Sequence, residues 1–95
     1  METYKVFDGT GDDGTQVVDV SEYYIAAVTI AANTGSPDGT VVVYDQSPGG
    51  DLVAVATYAT PSLPRKWTGS AWSKLLFVLS GNTTGTIDVW LELKK

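Results

Sequence analysis

The sequence predicts an all-β protein, an antiparallel β-sandwich of jelly-roll type with seven to eight strands and no substantial helix, and three observations carry that reading. The apolar residues are mostly Val, Ala, Leu and aromatics, the polar ones mostly Thr, Gly, Ser and Asp, and the Glu/Lys/Ala/Leu stretches of helices are missing. Turn residues punctuate the chain about every 8 to 12 positions, the spacing of short antiparallel strands. Where a strand is long enough to test, apolar and polar residues alternate with a period of two. A chain of 95 residues has room for one core and not for a second.

In order, "YKVF" (4–7) and "QVVDV" (16–20) are short strand candidates on either side of "DGTGDDGT" (8–15). The strand signal strengthens after them, which divides the chain into an extended N-terminal arm, 1–20, and a sandwich domain, 21–95. "YYIAAVTIA" (23–31) ends in the loop "ANTGSPDG". "TVVVYDQ" (40–46) and "DLVAVATY" (51–58) are separated by "SPGG", which reads as a hairpin. The two prolines of "TPSLPRKW" (60–67) predict an extended crossing rather than a ladder strand, because Pro has no N–H to donate. "WSKLLFVLS" (72–80) and "TIDVWLEL" (86–93) flank "GNTTG", a second hairpin signal.

Alternation tells which faces are wet. In the last strand Ile87, Val89, Leu91 and Leu93 share one side, and Thr86, Asp88, Trp90 and Glu92 the other. The strand before it has no such wet side: Leu75, Phe77 and Leu79 oppose Trp72, Lys74, Leu76 and Val78. "VVVY" and "LVAVA" are likewise apolar on both sides. An isolated small sandwich keeps its outer faces mostly polar, so this excess predicts that part of the outer surface is covered, by the N-terminal segment or by another subunit.

Composition removes several activities. With no Cys and no His, the chain has no disulfides, thiolate zinc sites, Ser-His-Asp or Cys-His mechanisms, or imidazole proton transfer. A net charge of −5 without a basic cluster argues against nucleic acid. The longest apolar-rich run, 23–32, is too short for a membrane span. "METYKVFDG" lacks a basic start and an apolar segment, so we expect no signal peptide and synthesis in a cytoplasm. Residues 1–51 carry nine acidic groups against Lys5 alone, whereas 52–95 carry five basic groups against Asp88 and Glu92. That asymmetry fits two halves that neutralise each other within one sandwich, or unlike faces that meet between copies.

The opening stretch has three readings. Asp8, Thr10 and Asp12 stand at the first three ligand positions of an EF-hand Ca2+ loop, but Asp13 replaces its Gly, Asp19 stands at the twelfth position and the flanks are strands. A different Ca2+ site on Asp8, Asp12 and Asp13, a solvated Gly-rich loop and an arm that docks on a partner remain, and the mobile acidic loop is the default. Trp67, Trp72 and Trp90, with Tyr44 and Tyr58, could stack on sugar rings, although large aromatics in a small sandwich more often form core or contacts. Asp88 and Glu92 share a strand face but lie about 13 Å apart at about 3.3 Å per residue, too far for glycoside hydrolysis. With no nucleophile, base or phosphate loop in view, we expect no enzyme and no cofactor. Asn82-Thr83-Thr84 matches a glycosylation sequon and reads as a turn.

"DGTVVVYDQS", "LVAVATY" and "GSAWSKLLFVLSGNTTGTIDVWLEL", roughly 38–93, together resemble the small β-sandwich virion proteins of tailed bacteriophages, such as head decoration or cement proteins and accessory head or tail proteins. The resemblance implies a structural protein on the capsid exterior that clamps subunits of the major capsid protein, commonly as a homotrimer, without catalysis, cofactor or metal. It implies docking through 1–20, with Tyr4, Val6, Phe7, Val17 and Val18, and contacts between copies around Tyr44, Trp72 and Trp90. Jelly-roll carbohydrate-binding modules share the pattern, and a sugar-binding tail or fibre module on Trp67, Trp72 or Trp90 is the alternative.

Overall fold

The computed structural model describes residues 2–21, 23–46, 52–68 and 74–94. Strands β1 (Glu2–Thr10), β2 (Gly14–Asp19), β3 (Tyr24–Thr34), β4 (Thr40–Asp45), β5 (Val53–Ala59), β6 (Arg65–Trp67), β7 (Lys74–Ser80) and β8 (Thr86–Lys94) follow one another, with a 3-10 turn at Thr60–Ser62. They form two antiparallel sheets of four strands, β1-β8-β3-β6 and β2-β7-β4-β5. The order follows from taking strands from the two ends inward. First lies with last, second with seventh, third with sixth and fourth with fifth, and successive pairs go alternately to one sheet and the other. Among the described residues no helix is long and apolar enough to cross a membrane.

The period of two decides what is inside. Ile87, Val89 and Leu91 of β8 are fully buried, and Leu75, Phe77 and Leu79 of β7 face them from the other sheet. Val28 and Ile30 of β3 and Val41 and Val43 of β4 complete the layer between the sheets, all fully buried. Thr86, Asp88, Trp90 and Glu92 stay half-exposed, as their alternation predicts.

Three expectations change. The stretch expected to be an arm contributes two paired strands: β1 runs along β8 from Glu2 opposite Leu93 to Thr10 opposite Ile87, and β2 along β7 from Gly14 opposite Leu79 to Asp19 opposite Lys74. Val6, Phe7, Val18 and Val20 belong to the core. Val6 and Phe7 are consecutive, yet both are buried, because the register shifts between Lys5 and Phe7 and the extra residue of that bulge turns a second side chain inward. The radius of gyration of 12.6 Å agrees with a fold that keeps its N-terminal residues close; a compact chain of this length has about 12.4 Å.

Residues 60–67 are not wholly a crossing. Pro61 opens the 3-10 turn, where no donor is missed, and Pro64 precedes the ladder, so Arg65–Trp67 are free to pair with β3, Trp67 opposite Val28. The "GNTTG" turn does not close a hairpin, since β7 pairs with β2 and β4 while β8 pairs with β1 and β3. It carries the chain from one sheet to the other, a gap of about 10 Å that five residues span easily. The β4–β5 hairpin is present, Thr40 opposite Ala59 through Asp45 opposite Val53, and its "SPGG" turn lies outside the described residues.

Candidate functional site

In the β2-β7-β4-β5 sheet, the residues between the buried ones point away from the core. Val17, Leu76, Tyr44 and Ala54 lie side by side across all four strands. Thr15, Val78, Val42 and Thr57 form the adjacent row. Val17 is 53% exposed, Leu76, Val78, Val42 and Tyr44 are half-exposed, and among the described residues the only charges on these rows and the next are Asp19 and Lys74, a cross-strand pair at one corner. Asp19 titrates below its ordinary value because the Ser21 backbone N–H and hydroxyl hydrogen-bond its carboxylate, with a smaller contribution from Lys74. Every described strand belongs to one of the two sheets, so none is left to lie over this face.

The opposite outer face, on β1-β8-β3-β6, is built differently. Lys5, Trp90, Thr29 and Lys66 stand in one row. The Lys5 ammonium lies 4.4 Å above the centre of the Trp90 ring, 2.7 Å from Asp8 and 3.6 Å from Asp88. The hydrogen bond to Asp8, partly opposed by desolvation, is the largest of the influences that raise the Lys5 pKa. Asp88 accepts from the Gly9 backbone N–H at 2.7 Å and from the Asn33 amide at 3.0 and 3.1 Å. Trp90 is therefore roofed by a cation.

The expected contact residues are thus dispersed. Val17 and Tyr44 share the apolar face; Trp90 lies on the other sheet, as does Tyr4, 48% exposed on edge strand β1; Val6, Phe7 and Val18 are core; Trp72 lies outside the described residues. Leu76, Val78 and Val42 complete the face and were not singled out from the sequence. Their signal was the absence of a polar side in "KLLFVLS" and "TVVVY".

The opening acidic stretch folds into a corner: 8–10 end β1, 11–13 cross between the sheets and 14–15 begin β2. Asp13 accepts from the backbone N–H groups of Gly81 and Asn82, both at 3.0 Å. The Asn82 side chain accepts from Asp38 and Gly39 N–H at 3.1 Å and donates to the carbonyls of Gly11 and Gly85 at 2.8 and 3.1 Å. Asp38 accepts from the hydroxyl and N–H of Thr83, which hold its carboxyl below the usual range. Three loops are clasped at this end of the sandwich. Among the described residues no three carboxylates come together in a group that could hold a metal ion. No protein-family model matches the chain, and no curated protein matches it.

Proposed function

We propose that the chain is a structural assembly protein of jelly-roll type whose contact surface is the outer face of the β2-β7-β4-β5 sheet, occupied by a second copy of the chain. The strand order supports the jelly-roll reading, since eight strands paired from the ends inward and dealt alternately to two sheets make up that topology. The observation that carries the function is the row Val17, Leu76, Tyr44 and Ala54, with Val78 and Val42 beside it, over which no described strand lies. A face with almost no charge, on a chain of net charge −5, is not shaped for an oppositely charged partner. A two-fold arrangement of two copies about this corner would set Asp19 of one near Lys74 of the other.

Four strands about 4.8 Å apart and about 20 Å long give a footprint of about 400 Å² per copy, or about 800 Å² per pair. That is small for a stable dimer, so the contact is weak alone and becomes effective where another surface holds copies side by side. A virus capsid is such a surface. The resemblance of 38–93 to decoration proteins of tailed bacteriophages supports a structural, non-catalytic role on the capsid exterior, with the major capsid protein as partner. The sugar-binding alternative has less support, with Trp90 beneath Lys5 and Trp67 packed against the core.

The test is the copy number of this polypeptide in purified virus particles, by quantitative mass spectrometry against the major capsid protein. Hundreds of copies per particle are expected. Absence from particles, or a handful of copies, would overturn the capsid reading.

A further inference from the structure

The two sheets are not closed along the side where β5 and β6 run. β6 is three residues long against seven in β5, and Pro61 and Pro64 keep the preceding chain off the ladder. An open slot of about 420 Å³ remains between these edges, the volume of a small-molecule site. Its walls come from facing positions of the two sheets. Ala56 and Tyr58 stand opposite the core residues Val43 and Val41, and Arg65 and Trp67 opposite the core residues Ile30 and Val28, so all four belong to the inward sides of their strands.

The wall chemistry is specific. The Tyr58 hydroxyl is buried out of reach of water and has no hydrogen-bond partner among the described residues, an expensive arrangement that a polar group in the slot would relieve once a small ring movement opens the hydroxyl to it. Burial pushes its pKa up to about 12, so it stays a neutral donor across the physiological range. Arg65 and Lys66 are two of the six basic residues of an acidic chain, and no acidic side chain among the described residues pairs with either. Trp67 is half-buried against the core and adds an aromatic surface.

We infer that the β5–β6 slot is a binding site for a small carboxylate carried on a six-membered ring. The ring packs on Trp67, the Arg65 guanidinium meets the carboxylate in a two-pronged contact, and the Tyr58 hydroxyl, turned toward the slot as the ligand enters, donates to a ligand oxygen. Ala56, with its small side chain, leaves room for the ring. This site lies on the side edge of the sandwich, apart from the apolar outer face, and does not depend on the assembly reading.

The experiment is a titration of the 15N-labelled full chain with sodium D-glucuronate, sodium benzoate and D-glucose, reading the Trp67 indole N–H after assignment by Trp67→Phe. Fragment-sized ligands bind at about millimolar strength, so the series runs to about 50 mM. Saturable shifts with an acid and none with glucose are expected; glucuronate alone identifies a sugar acid, and benzoate alone an aromatic acid. Arg65→Gln and Tyr58→Phe, whose own spectra report that they are folded, should each weaken binding about tenfold, the loss of one hydrogen-bonded contact. No Trp67 shift with either acid, equal response to glucose, or undiminished binding by Arg65→Gln would overturn the inference.

Discussion

Gly85 holds the clasped end of the sandwich together by what it lacks. Its φ is +66°, and a Cβ there would meet the Thr34 carbonyl oxygen at 2.7 Å and the Pro37 nitrogen at 2.8 Å. Gly81, in the same turn with φ +69°, has open space around it. Gly85→Ala should therefore destabilise by about 3 kcal/mol, and Gly81→Ala by about 1 kcal/mol, from the backbone conformation alone; urea unfolding of both variants measures the difference, and equal losses would contradict the packing described. Tyr58 gives a second test at this scale. Its folded pKa of about 12 lies above the ordinary value of 10, so the neutral ring's contribution to stability is complete below pH 10 and is lost as pH rises toward 12. Tyr58 should ionise late by absorbance at 295 nm, and Tyr58→Phe should remove that late phase.

At the scale of elements, β1 and β2 are structural. Deleting residues 1–20 would take Val6, Phe7, Val18 and Val20 from the core and leave the edges of β7 and β8 unpaired. A docking arm could be removed without harm; these strands cannot. The truncated chain should show no cooperative thermal transition by circular dichroism, whereas a native-like melt would restore the arm reading. Sequence reasoning found β8, β7, β4 and the β4–β5 hairpin because period-two alternation and turn residues are local signals. It located β1 and β2 as short strands but assigned them to an arm, because the bulge at Lys5 to Phe7 breaks the alternation and an edge strand buries little more than one residue in two. It read "GNTTG" as a hairpin because a turn's sequence does not say whether the next strand stays in the same sheet; the bonds from Asp13 and Asp38 that hold this crossover come from loops about 70 and 45 residues away.

For the whole molecule, the consequence is an asymmetric sandwich, one outer face carrying Lys5, Asp88, Glu92 and a cation-covered Trp90, the other mostly apolar, with Thr15 and Thr57 among Val, Leu, Ala and Tyr44. The excess of apolar residues was legible in "KLLFVLS" and "TVVVY", but its location was not. Which parity faces outward is decided by the opposing sheet, and the N-terminal segment that could have covered the face is instead incorporated at the edge of each sheet. Tyr44 and Val17 were singled out in the sequence; Val42, Leu76 and Val78 join them only when the registers place them beside these two. The measurement that tests this most directly is sedimentation equilibrium of the full chain and of Val17→Lys over a wide concentration range. Val17 is 53% exposed on an edge strand, so the substitution should leave folding stability within about 0.5 kcal/mol. The account predicts reversible association of the unmodified chain, with a mass that distinguishes pairs from the threefold assembly implied by the resemblance, and a monomer at all concentrations for Val17→Lys. Identical association of the two proteins, or a strictly monomeric unmodified chain at millimolar concentration, would contradict it.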